Sequence, residues 1–159
     1  MKTGVYAGSF DPITFGHIDI IKRAEKIFDE IILLVGENKT KKALFSLKER
    51  KEMLEELFKD KKHVKVEVLD GLLAGYMKQK QLHFVIRGLR AISDFDYEFQ
   101  HSIMNKELNK EIETVFLMTE PKYFYVNSRI IKEIVELKGN AKEFVPKLVE
   151  EKLKEKLEK

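Results

Sequence analysis

Residues 31–35 read Ile-Ile-Leu-Leu-Val. Successive side chains on a strand point to opposite faces, so an unbroken apolar run needs cover on both sides. That requirement suits a parallel sheet sandwiched between helices, and it narrows the fold more than any other stretch. A shorter apolar run, Val5-Tyr6-Ala7, predicts a strand over residues 3–7. Between the two, residues 17–28 predict a helix with Ile20, Ile21, Ala24, Ile27 and Phe28 on one face. The resulting β-α-β unit takes about thirty residues, the usual size of such a crossover.

The alternation continues. Ser46 and Glu49 form a capping box ahead of a helix burying Leu47, Met53, Leu54, Leu57 and Phe58. Val64, Val66 and Val68 alternate with Lys65 and Glu67, as in a strand with one wetter face. Residues 72–80 predict a helix, and His83-Phe84-Val85-Ile86 a strand that delivers Arg87-Gly88-Leu89-Arg90 at its end. Ser93 or Asp94 is the expected cap of a long helix to about Asn109. Residues 113–118 predict a fifth strand with Val115, Phe116 and Leu117 buried. Asn127 or Ser128 caps a helix ending near Gly139, and Pro146 opens a last charged helix. Five strands alternating with helices predict a doubly wound α/β fold around a five-stranded parallel sheet.

Length and composition limit the function classes. The 159 residues, 43% hydrophobic, suit one domain (1–159) with a real core. There is no cysteine, which excludes disulfides and thiolate metal sites. His63, His83 and His101 have no metal-ligand spacing and read as structural. Thirty basic and 27 acidic residues are interspersed and leave a formal charge of +3. That balance argues against a nucleic-acid or membrane-binding stripe. No leader pattern and no membrane-length apolar run are present, so a cytoplasmic protein is expected.

In open α/β sheets, ligands bind beyond the carboxyl ends of the strands. Three polar groups are expected there. The first is residues 8–17, Gly-Ser-Phe-Asp-Pro-Ile-Thr-Phe-Gly-His, ending on a helix N-terminus that can hold a phosphate. Gly16 lets an anion approach the backbone, and His17 offers a donor nitrogen. The second is the loop containing Lys39, Lys41 and Lys42, where a solvated loop is the plainer alternative to a phosphate role. The third is Arg87 to Arg90. Arginine suits bidentate phosphate recognition, and a salt bridge of either arginine with Asp94 or Glu98 is the structural alternative. Tyr123 to Arg129 ends on another helix N-terminus. Neither a P-loop nor a Gly-x-Gly-x-x-Gly turn occurs, and no strand-turn-helix nucleophile is present.

Residues 8–17 resemble the T/HxGH motif of the nucleotidylyltransferase superfamily. Together with Lys41-Lys42, Ile86-Arg87-Gly88-Leu89-Arg90-Ala91, Asp94-Phe95-Asp96-Tyr97-Glu98 and the late serine segment, the chain is similar to the bacterial phosphopantetheine adenylyltransferase family from Gly4 to about Gly139. The resemblance implies a Rossmann-like fold and adenylyl transfer from ATP to 4′-phosphopantetheine, with Mg²⁺. The products are dephospho-coenzyme A and pyrophosphate, and the attack is direct and in line. It also implies a homohexamer, with coenzyme A as an inhibitor.

Position by position, the resemblance implies that Ser9 and Phe10 meet ATP, with Ser9 also reaching the incoming phosphate. His17 would stabilise charge on the α-phosphate, and Lys41 would orient both phosphates. Leu73 matches a contact to the pantetheine arm and Arg87 a ligand of its phosphate. Gly88, Leu89, Arg90 and Glu98 fall at ATP-binding positions, as do Tyr123, Phe124, Tyr125, Val126, Asn127, Ser128 and Arg129. Asn127 and Arg129 depart from the family's usual Ile-Ser-Ser-Ser/Thr. Rival readings are transfer to another phosphorylated acceptor by a member of the same superfamily, and a non-catalytic ATP sensor.

Overall fold

The structure is a computed structural model that describes residues 1–37 and 42–157. The chain runs through β1 (Thr3–Gly8), α1 (Phe15–Ala24), β2 (Glu30–Val35), α2 (Leu47–Phe58), β3 (Val64–Val68) and α3 (Leu73–Gln79). It continues with β4 (Phe84–Leu89), α4 (Ile92–Leu108), β5 (Glu113–Met118), a 3₁₀ turn (Pro121–Tyr123), α5 (Ser128–Glu136) and α6 (Lys147–Leu157). The five strands form one sheet in the order β3-β2-β1-β4-β5. Every pairing is parallel. The order reverses between β1 and β4, which creates a crevice at their carboxyl ends.

As its sequence requires, β2 is covered on both faces. Ile31, Leu33 and Val35 join Ile20, Ile21, Leu54, Phe58, Ile131, Val149 and Leu153 in one core. Ile32 and Leu34 join Val5, Ala7, Ala74, Met77, Val85 and Ile112 in the other. Helices α1, α2, α5 and α6 therefore supply side chains to one face, and α3 packs on the other.

Four local expectations are corrected. Helix α1 starts two residues early, because Thr14 caps it, and stops at Ala24. Ile27 consequently faces solvent while Phe28 keeps its place in the core. At α4 neither Ser93 nor Asp94 is the cap: Ala91 holds that position without a side-chain bond. Asp94 instead turns back to the backbone N–H and guanidinium of Arg90. Val115, Phe116 and Leu117 are only half-buried, since β5 is an edge strand. Finally, Arg87, Gly88 and Leu89 lie inside β4 rather than after it.

Candidate active site

The β1–α1 connection begins with Phe10 at φ +46°, a left-handed conformation that bulky residues rarely take outside functional loops. Thr14 and His17 then form a reciprocal cap. The His17 N–H donates to Thr14 Oγ1 at 3.4 Å, and the Thr14 N–H donates to His17 Nδ1 at 3.0 Å. Here histidine does what glutamate does in a capping box. Because Nδ1 accepts, the neutral ring carries its proton on Nε2, so the free nitrogen is a donor. The ring edge meets Phe10 at 5.3 Å between centroids. Burial, reinforced by Arg90 and then Arg87, pushes the His17 pKa down to about 4, so the ring is neutral at pH 7.

Two buried charges hold this loop. The Asp11 carboxylate accepts the Leu44 and Phe45 N–H groups at 3.0 and 2.9 Å and pairs with Lys132 at 2.8 Å. Arg50, only 2% exposed, donates to the carbonyls of Ser9 at 2.7 Å, Gly36 at 3.0 Å and Phe45 at 3.0 Å. It thereby ties the ends of β1 and β2 to the start of α2. Neither residue stood out in the sequence. For Arg50 a signal existed: it shares the helical face of Leu47, Met53, Leu54 and Leu57.

From β4, Arg87 donates to Glu98 through Nε at 2.5 Å and Nη2 at 2.7 Å, and to the Ala7 carbonyl through Nη1 at 2.6 Å. Burial of Arg87 opposes its charge, and Glu98 more than restores it. Arg90 pairs with Asp94 at 3.0 Å and reaches the Val126 carbonyl at 3.4 Å. Partial burial raises the Asp94 pKa, but the hydrogen bonds from Arg90 hold it below the usual carboxylate range. Gly88 is a close-approach position. A Cβ there would lie 2.8 Å from Ile20 Cγ1.

Two cavities open at this edge. One, of about 450 Å³, is lined by Ser9, Gly16, His17, Gly88, Arg90 and Asn127 among others. It is rich in donors. The second, of about 730 Å³, runs past Leu34, Leu69, Leu73, Val85, Tyr97 and His101. It offers an apolar track for an extended arm. Both are walled by Ala7, Gly8, Ser9, Arg87 and Glu98, so they meet at the end of β1.

The structure thus brings together Ser9, His17, Gly88, Arg90, Glu98 and Val126 to Arg129 in the smaller cavity. Leu73 and Arg87 line the larger one. Phe10, 1% exposed, lies beneath the loop and not on the cavity wall. Leu89 is buried, with its carbonyl held by Thr119. Tyr123, Phe124 and Tyr125 do not line the smaller cavity. Asn127 caps α5 through the Ile130 N–H, as expected from the sequence. The Ser128 hydroxyl donates to the Pro12 carbonyl at 2.8 Å, and Arg129 pairs with Glu133 on the surface. Both alternatives for the two arginines hold at once: they face the cavities and they are salt-bridged. Lys41 lies outside the described residues, while Lys42 is exposed. His101, which the sequence reads as structural, packs at a tilt against Tyr97, 4.4 Å between ring centroids, and lines the larger cavity.

Residues 5–134 match the family model for cytidylyltransferase-like proteins. A phosphopantetheine adenylyltransferase from Caldanaerobacter subterraneus subsp. tengcongensis is 50% identical over all of this chain and 99% of its own. Proteins of the same name from Syntrophus aciditrophicus and Dictyoglomus thermophilum are each 52% identical over 98% of this chain and 94% and 95% of theirs. The fold and the motif around His17 agree with these matches, and the chain belongs to the phosphopantetheine adenylyltransferase family of cytidylyltransferase-like proteins.

Proposed function

We propose that this protein transfers the adenylyl group of ATP to 4′-phosphopantetheine, giving dephospho-coenzyme A and pyrophosphate in coenzyme A synthesis. The observation that carries this reading is the meeting of the two cavities at Ser9 and Arg87. The donor-rich cavity suits a triphosphate, and the apolar track suits a pantetheine arm. An oxygen of the acceptor's phosphate attacks the α-phosphorus of ATP. The bond from that phosphorus to the bridging oxygen breaks, and pyrophosphate leaves with the electron pair. A phosphate monoester is already a nucleophile at neutral pH, so positioning and charge relief suffice.

In this reading His17 Nε2–H donates to the α-phosphate, and the neutral ring is set for that by Thr14. Arg90 and the first N–H groups of α5, which have no intrahelical acceptor, attract the outer phosphates. The proton of the Ser128 hydroxyl is committed to Pro12, so that residue acts through its backbone. Three of the five N–H groups of Arg87 are used by Glu98 and Ala7, which leaves two for the acceptor's phosphate. Lys41 is assigned its role by resemblance alone.

Among the described residues no group of three or more His, Asp or Glu side chains could hold a metal. Asp94 and Glu98, the carboxylates on the smaller cavity, are both engaged by arginines. The described residues thus supply no cage of their own, and in this reading Mg²⁺ would be held by the ATP phosphates. Coenzyme A, which carries both a pantetheine arm and an adenylate, would fill both cavities and compete with substrates. Among the described residues no helix is long and apolar enough to cross a membrane. Coenzyme A synthesis in the cytoplasm fits the reading. Helix α4 fully buries none of its side chains and leaves Phe99, Ile103, Met104 and Leu108 exposed. We assign that face to contacts between copies in a homohexamer.

The direct test is pyrophosphate release from ATP and Mg²⁺ with and without 4′-phosphopantetheine. Release that needs the acceptor, with dephospho-coenzyme A formed, supports the reading. ATP binding without release overturns it in favour of another acceptor or a sensor.

A further inference from the structure

Along β1, Val5 and Ala7 face one core and Tyr6 the other. Tyr6 is only 6% exposed, and its ring meets the Phe10 ring edge-on at 5.3 Å. Its hydroxyl has no hydrogen-bonding partner among the described residues. A phenol sealed in the core in that state would carry a desolvation cost that a phenylalanine avoids. It is not sealed: among the described residues no fully enclosed side-chain nitrogen or oxygen lacks a partner. The ring stands under the smaller cavity and Tyr6 forms part of its wall. A Cβ built on Gly88 would come within 3.4 Å of the hydroxyl oxygen, which places that oxygen beside Gly88. The groups around it line the smaller cavity: His17 at 6.4 Å between ring centroids, with Gly88, Arg90 and the shared-wall Arg87 beside it. The aromatic segment at residues 123–125 is not among them.

We propose that Tyr6 is a further nucleotide-binding residue, its hydroxyl donating a hydrogen bond to a phosphate oxygen of ATP across the gap left by Gly88. This rests on the reading of the smaller cavity as the nucleotide site. The phenol is kept in its donor form, because burial raises its pKa against the pull of Arg87. Gly88 then has a second use. Besides sparing Ile20, the missing side chain keeps open the space above the hydroxyl.

The test is calorimetric titration of the wild type and Tyr6→Phe with ATP, and separately with 4′-phosphopantetheine, alongside thermal unfolding. The substitution keeps the ring and its contact with Phe10. ATP binding should weaken about tenfold, the usual scale for losing one hydrogen bond to a charged group. Binding of 4′-phosphopantetheine should stay within about two-fold, and Tm should not fall. Unchanged ATP affinity, or equal weakening of both ligands, overturns the proposal. A wild type that binds ATP but makes no dephospho-coenzyme A defeats the acceptor reading alone, and the Tyr6 comparison still decides. A wild type that does not bind ATP defeats both.

Discussion

The guanidinium of Arg87 and the carboxylate of Glu98 meet through two hydrogen bonds, at 2.5 and 2.7 Å, on the wall shared by the two cavities. An arginine held on two edges loses little freedom when a phosphate takes the remaining ones. Glu98→Gln should leave Arg87 loosely placed. We expect a rise of about tenfold in KM for 4′-phosphopantetheine and a stability loss of about 1–3 kcal/mol, since the pair is mostly but not fully buried. Steady-state kinetics and urea unfolding measure both. An unchanged KM would mean that the pair is purely structural.

His17→Ala should lower kcat by about 10²–10³, or about 3–4 kcal/mol, as for loss of one preorganised donor. KM values should move far less. Wild-type kcat in the variant would remove the assigned role.

The same ring gives a pH signature. Its pKa falls from an ordinary 6.5 to about 4 in the folded protein, through burial first and then Arg90 and Arg87. Between those values the unfolded chain binds more protons, so stability rises with pH across the window. The contribution is fully present above about pH 6.5 and is lost as pH falls to about 4. It is worth at most about 3 kcal/mol, reduced by water reaching the cavity edge of the ring. Urea unfolding of wild type and His17→Gln over this range should show the extra slope in the wild type only. Parallel profiles would contradict it.

Arg50→Met keeps the aliphatic bulk and strips the donors from three inward-facing carbonyls. The expected cost is about 3 kcal/mol or more, because buried acceptors would be left unpaired. Activity should fall as well, since Ser9 loses its anchor. Equilibrium denaturation that matches the wild type would show that water replaces the guanidinium.

On α4, Ile103 is 48% exposed and lines neither cavity. If copies of the chain cover this face, Ile103→Asp buries a charge at the interface and should shift the protein to smaller species. Light scattering after size-exclusion chromatography reads this directly. An unchanged mass in the variant would move the interface elsewhere.

The elements were legible because their signals are local. The run at residues 31–35, the Ser46–Glu49 cap and the Asn127 cap each depend on neighbours within one or two turns, and each stands where expected. The same holds for the loop that leads to His17 and for its position at a strand's carboxyl end, though α1 takes in the last three of its expected residues. What the sequence alone left open depends on residues far apart in the chain. Asp11 finds Leu44, Phe45 and Lys132, and Arg50 finds Ser9 and Gly36, only once the sheet is assembled. The sequence allows Arg87 to pair with Asp94 or Glu98, and the packing of α4 against β4 selects Glu98. Tyr6 reads as one apolar member of a strand; the neighbouring β4, which pairs Ile86 with Tyr6 and sets Gly88 beside the hydroxyl two residues further on, makes that hydroxyl part of a cavity wall. Sequence by itself determined the elements and the motif, since periodicity and capping are short-range. Tertiary structure decided which donors remain free, because that follows from strand order and from which charges the fold brings together.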